Sequence, residues 1–128
     1  MKWMVVDDSA TIRRIVKHGI NETGEHEVVE AGDGKQALKL CDATFDFVIT
    51  DWNMPVMDGL DLVKQIRRNP EWSSIKIIMV SGLNTKENVV AALESGVNGY
   101  ILKPFNVATL TGKIEELLAG HNDTLEAA

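Results

Sequence analysis

Phe47-Val48-Ile49-Thr50-Asp51 is a short apolar run that stops on a carboxylate. Four similar runs lie along the chain, at Trp3 to Val6, Glu27 to Val29, Ile77 to Val80 and Tyr100 to Leu102. Their length and composition read as strands. Between them the apolar residues fall at helical spacing, as in Ile12, Ile15, Val16 and Ile20, then Leu60, Val63 and Ile66, then Leu110, Ile114, Leu117 and Leu118. Ala37 to Cys41 and Val89 to Leu93 supply two further helices. The punctuation agrees. Asp33 is placed to cap the second helix, Asn69-Pro70 to end the third, and Gly96 and Gly120 to close the fourth and fifth. Strict alternation of helices with strands that are apolar along most of their length predicts a doubly wound α/β fold, a parallel sheet covered on both faces. Such sheets hold their ligands outside the carboxyl ends of the strands.

The chain has 128 residues, the size of one domain. The domain is expected over residues 1–120. The tail from His121 to Ala128 is polar and reads as frayed, or as the start of a linker. Apolar residues make up 45% and charged residues 25%, which excludes disorder. The net charge of −6, with no basic stripe, argues against a nucleic-acid partner. Arg13, Arg14 and Lys17 read as the solvated face of a helix, and Cys41, set among Ala37, Leu38 and Leu40, as a small buried apolar residue. No apolar run reaches membrane-spanning length and Met1-Lys2 opens no signal peptide, so no membrane partner and a cytoplasmic location are expected.

The strand ends carry the chemistry. The first run is followed by Asp7-Asp8, the third ends in Asp51, the fourth is followed by Ser81 and the fifth by Lys103, whereas the second leads to Ala31. That exception suggests an edge strand outside the site. Two aspartates could simply cap the helix starting near Ala10. Together with Asp51 they make a crowd of like charges that needs a cation, and carboxylate oxygens without His or thiolate are ligands for Mg²⁺. Lys103 suits either a salt bridge to Asp51 or a phosphoryl oxygen. Ser81 can donate a hydroxyl to the same group, although a lone strand-end serine is commonly a turn or cap. Gly82 leaves room beside it.

A carboxylate can serve as nucleophile in phosphoryl transfer, where positioning and charge neutralisation do most of the work. The chain has no G-x-x-x-x-G-K-S/T loop, so the phosphoryl group must arrive on another protein or a small donor. Gly32-Asp33-Gly34-Lys35-Gln36-Ala37 loosely fits a dinucleotide loop, but Asp33 would face the pyrophosphate. An aspartate-nucleophile phosphohydrolase would want a second acid where Asn53 stands. A flavin carrier would want a phosphate-cradling turn where the chain is acidic.

Asp7-Asp8, the segment D-W-N-M-P-V-M-D-G from Asp51 to Gly59, I-M-V-S-G ending at Gly82, and G-Y-I-L-K-P-F from Gly99 to Phe105 closely resemble the receiver domains of two-component response regulators. The likeness runs from Lys2 to Leu118. Within the family it is strongest to the single-domain chemotaxis regulators, helped by Trp52-Asn53-Met54 and Arg13-Arg14-Ile15-Val16. It implies a flavodoxin-like (βα)5 fold with strand order 2-1-3-4-5. It also implies that Asp51 accepts a phosphoryl group from the phosphohistidine of a histidine kinase. Asp8, Asp51 and the main-chain carbonyl of Asn53 would bind Mg²⁺, with Asp7 acting through water. Lys103 would pair with the phosphoryl group, Ser81 would move to hydrogen-bond it, and Tyr100 would rotate inward. Lys103-Pro104 would be cis. Beyond catalysing its own phosphorylation and slow dephosphorylation, such a domain is not an enzyme.

Lys86, Val89, Tyr100 and Lys113 would lie on or near the output surface, which for a chemotaxis regulator meets the flagellar motor switch. A phosphorelay carrier, or a receiver module with another output partner, is the alternative. A monomer is expected. Two positions depart from the pattern: Ser81 replaces the usual threonine, and Leu83 is apolar where a polar or acidic residue is common, which bears on phosphoryl lifetime.

Overall fold

The computed structural model describes residues 1–124. Five strands, β1 (Lys2–Val6), β2 (Glu27–Ala31), β3 (Phe47–Asp51), β4 (Lys76–Ser81) and β5 (Gly99–Leu102), alternate with α1 (Ala10–Glu22), α2 (Gly34–Leu40), α3 (Gly59–Arg68), α4 (Lys86–Ser95) and α5 (Val107–Leu118). A 3-10 turn at Pro70–Trp72 precedes β4. All strand pairs are parallel and the order is β2-β1-β3-β4-β5, as the family resemblance implied. β2 is an edge strand with partly exposed residues, in keeping with its lack of a polar terminus.

Successive strand residues point to opposite faces, and both faces are apolar. On one, Met4, Val6, Val48, Ile77 and Met79 pack against Ala37, Leu62, Val63, Ile66 and Ala92 from α2, α3 and α4. On the other, Trp3, Val5, Phe47, Ile49, Ile78 and Val80 meet Val16, Ile20, Leu110, Ile114 and Leu117 from α1 and α5. All five residues of β3 are buried. At about 1.5–3 kcal/mol for each large apolar side chain removed from water, these two clusters drive the fold.

Every helix begins on a side-chain cap: Ser9, Asp33, Asp58, Thr85 and Asn106 each accept from a backbone N–H three residues on. The Ser9 hydroxyl caps α1, so neither Asp7 nor Asp8 supplies that cap. Asn69 follows the last residue of α3, and Gly96 closes α4 in the left-handed conformation, φ 112°. Gly120, also left-handed at φ 89°, lies two residues past the end of α5. The tail expected to fray is instead held at Asp123, whose N–H donates to the Asn98 carbonyl at 2.9 Å; residues 125–128 lie outside the described residues.

Candidate functional site

Register brings the carboxyl ends of β1, β3, β4 and β5 side by side, pairing Val6 with Thr50, Asp51 with Val80 and Ser81 with Leu102. Asp7, Asp51, Ser81 and Lys103 therefore meet, each one residue from a paired position or on it. Lys103 Nζ lies 3.1 Å from Asp51 Oδ1 and 3.8 Å from Asp7 Oδ2. The first is a charge-assisted hydrogen bond and the second a longer-range attraction. Asp51 Oδ1 also accepts from Trp52 N–H at 2.8 Å. Both contacts fall on Oδ1, and among the described residues Oδ2 makes no hydrogen bond.

The β1–α1 turn sets the acid pair. Asp7 is buried and its Oδ1 accepts from Ser9 N–H at 2.8 Å, while Asp8 is exposed. One carboxylate oxygen from each of Asp7, Asp8 and Asp51 lies within 4.8 Å of the others. Burial raises the Asp7 carboxyl above the ordinary range, and the charges of Asp51 and Asp8 add to that, against the Ser9 N–H and Lys103. Three crowded carboxylates with a single lysine remain short of positive charge. An all-oxygen donor set of that kind fits a hard divalent cation such as Mg²⁺.

Arg13, expected on a solvated face, turns inward. Its Nη1 donates to the Asp7 carbonyl at 2.6 Å and its Nε to Glu30 Oε1 at 3.0 Å. The guanidinium fork thereby fixes the main chain of the acid pair to β2. No sequence signal separates it from Arg14. Gly59 likewise has a role its motif does not explain: a Cβ there would stand 1.9 Å from the Asp51 carbonyl oxygen. Its N–H donates to the Trp52 carbonyl at 2.7 Å, so the start of α3 is pressed against the end of β3. Asn53 is exposed in the loop between them.

Ser81 Oγ accepts from Leu83 N–H at 3.0 Å, and the Tyr100 hydroxyl donates to the Leu83 carbonyl at 2.7 Å. Leu83 thus links the two residues through its main chain. The Tyr100 ring meets Trp52 edge-on at 6.5 Å. Burial raises the Tyr100 hydroxyl pKa, with Ser81 opposing. A Cβ on Gly82 would meet nothing within 4 Å, leaving the expected open space. Val89, Tyr100 and Lys113 line one groove with Leu93 and Asp123; Lys86 is exposed and lies outside that lining. Cys41 is buried, and its thiol is pushed up to about 11 by burial and Asp42, as suits an inert apolar residue. The Lys103-Pro104 bond is cis.

Residues 3–115 match the sequence model of the response regulator receiver domain. The chain belongs to that family. It is 47% identical over 125 residues to the chemotaxis protein CheY1 of Helicobacter pylori, covering 96% of this chain and 100% of that one. It is 44% identical over 118 residues to CheY-3 of Vibrio cholerae, covering 91% of each. The solved structure of the chemotaxis response regulator CheY4 of Vibrio cholerae superposes with a TM-score of 0.82 at 37% identity, over 91% of this chain and 97% of that one. This receiver domain is therefore part of a two-component system and similar to CheY regulators. No helix among the described residues is long and apolar enough to cross a membrane.

Proposed function

We propose that Asp51 is the phosphoacceptor of a chemotaxis switch. The observation that carries this reading is the 3.1 Å contact between Lys103 Nζ and Asp51 Oδ1 beside Asp7 and Asp8. Asp51 Oδ2 attacks the phosphorus of a kinase phosphohistidine, the P–N bond breaks, the imidazole leaves with the bonding pair, and an acyl phosphate forms. Lys103 then moves its charge from the carboxylate to the phosphoryl oxygens. Asp8, Asp51 and the Asn53 carbonyl would hold Mg²⁺, with Asp7 acting through water; when bound, the ion offsets the charge of the acids and the incoming phosphoryl group.

Ser81 Oγ can leave Leu83 N–H to donate to the phosphoryl group, and Leu83 carries that change to Tyr100. Water attack on the acyl phosphate resets the domain slowly without another enzyme, past Asn53 and the apolar Leu83. The output surface is the face of α4, β5 and α5, with Lys86, Val89, Tyr100 and Lys113 on or near it. Its partner is the flagellar motor switch, as the chemotaxis relatives suggest, and the working form is a cytoplasmic monomer.

The test is intact-mass spectrometry after exposure to acetyl phosphate and Mg²⁺. A labile phosphoryl adduct is expected on the native chain and none on Asp51→Asn; an adduct that persists in Asp51→Asn overturns the assignment. Beryllofluoride-loaded protein should capture the motor switch protein where the untreated protein does not.

A further inference from the structure

β5 is an edge strand, so alternate backbone groups along it face away from β4. Lys103 N–H donates to the Ser81 carbonyl, which puts the odd-numbered residues of β5 toward β4 and the even-numbered ones outward; Asn98, just before the strand, gives its N–H to the Ile77 carbonyl and leaves its own carbonyl to Asp123. The first outward pair is the Asn98 carbonyl and the Tyr100 N–H. Asp123 takes both. Its own N–H donates to the Asn98 carbonyl at 2.9 Å, and its Oδ2 accepts from Tyr100 N–H at 2.9 Å. A sixth strand would meet this pair with one residue's N–H and C=O, and Asp123 substitutes a carboxylate oxygen for the carbonyl. The other oxygen, Oδ1, lies 2.8 Å from Lys113 Nζ.

This is a built contact. Lys113 is mostly buried, with 18% of its side chain exposed, and Glu116 lies 3.3 Å from the same ammonium. Asn98 is fixed from behind, its Oδ1 accepting from Ile77 N–H at 2.8 Å and from Arg67 Nη2 at 3.0 Å. The segment from Ala119 to Asp123 thus straps the start of β5 to α5, and Asp123 forms part of the wall of the groove that Val89, Leu93 and Tyr100 also line.

We propose that this strap is a cis occupant of the output face: Asp123 holds the Tyr100 N–H and the Lys113 ammonium, and an acidic, extended segment of a partner protein must displace it to dock. The proposal rests on the α4–β5–α5 face being the output surface. The strap shows what that face recognises, a carboxylate presented beside a backbone N–H at the sheet edge. Removing it raises the partner's apparent affinity by deleting the competitor, with no change at Asp51.

Two readouts test this. Amide hydrogen exchange by NMR should show Tyr100 N–H exchanging about tenfold faster in Asp123→Ala, with Ile101 unchanged. A fluorescein-labelled hexapeptide with the sequence of residues 119–124 should bind Asp123→Ala at least several-fold more tightly than the native chain. Lys113→Gln in that background should remove the gain. Unchanged exchange at Tyr100, or equal peptide affinity for the native chain and Asp123→Ala, overturns the proposal. Phosphorylation by acetyl phosphate, expected to be equal in native and Asp123→Ala protein, reports separately on the Asp51 reading.

Discussion

The two ends of the sheet are built from the same strands under opposite rules. At the carboxyl ends Asp7, Asp51 and Lys103 share a small space with more negative than positive charge, and Asp7 is buried there despite it. At the amino ends polar side chains act as main-chain partners. Asp46 Oδ2 accepts from Lys2 N–H at 2.8 Å, its N–H donates to the Lys2 carbonyl, and its carbonyl accepts from Lys76. Asn98 does the same for Ile77. Trp3 stacks on Phe47 at 4.0 Å and an interplanar angle of 11°. The exceptions at that end are Trp3 Nε1 and His26 Nδ1, buried without a hydrogen-bond partner. One end stabilises the domain, and the other holds reactive groups at the expense of stability.

The largest effect is expected where the reactive end is clamped. Gly59→Ala places a Cβ against the Asp51 carbonyl, which belongs to a fully buried strand and cannot move aside. A loss of about 4 kcal/mol or more follows, enough to unfold much of the protein, and urea denaturation checks it. If Gly59→Ala folds normally, the close approach between α3 and β3 is not fixed. At the opposite end, Asn98→Ala leaves Ile77 N–H and Arg67 Nη2 without their acceptor, although Arg67 keeps its bonds to the Gly96 and Ser73 carbonyls, and should lower stability by about 2 kcal/mol. Its rate of phosphorylation by acetyl phosphate should stay native. A fall in that rate would show that the two ends are not separable.

Asp7→Asn should act with the opposite sign. The amide oxygen can still accept from Ser9 N–H, and one of three crowded charges is gone. Because burial raises the folded pKa of Asp7, the folded state holds its proton more tightly than the unfolded state. Stability of the metal-free protein therefore falls as pH rises from the ordinary carboxylate value to the raised folded value. Asp7→Asn should lack that slope and be on the order of 1 kcal/mol more stable at pH 7 in EDTA. Its Mg²⁺ affinity, measured by calorimetry, should drop at least about tenfold. A variant that loses stability in EDTA would mean that Asp7 is held by its contacts more than it is opposed by its neighbours.

The contrast between the ends also explains what the sequence could disclose. Strand and helix periodicity comes from burial on two faces, so all five strands and five helices were legible. The acids, Ser81 and Lys103 were legible because each breaks an apolar run at its end. Arg13, Gly59 and Asp123 were not, because their roles depend on long-range approach: Arg13 to the end of β1, Gly59 to Asp51, and Asp123 to an edge N–H of Tyr100. The side chain of Leu83 is what departs from the family pattern, yet it is its main chain that joins Ser81 to Tyr100.

Val56 offers the smallest and cleanest test. It sits in the β3–α3 loop with φ 70°, the only non-glycine residue with positive φ among the described residues. Met57 N–H donates to the Pro55 carbonyl at 2.7 Å, closing a three-residue turn around it. A β-branched residue is poorly suited to positive φ, where asparagine is several-fold enriched among non-glycine residues. Val56 is 75% exposed, so replacing it removes little packing. Val56→Asn should therefore stabilise the domain by about 1 kcal/mol, seen as a rise in Tm of about 4 °C. Four residues separate it from Asp51, and Asn53 is one of them. If the strain is only a local consequence of the turn, phosphorylation by acetyl phosphate stays within about twofold of native. If the rate falls while Tm rises, the reactive end uses that strain to hold Asn53 in place, and the division between the two ends extends from charge to backbone conformation.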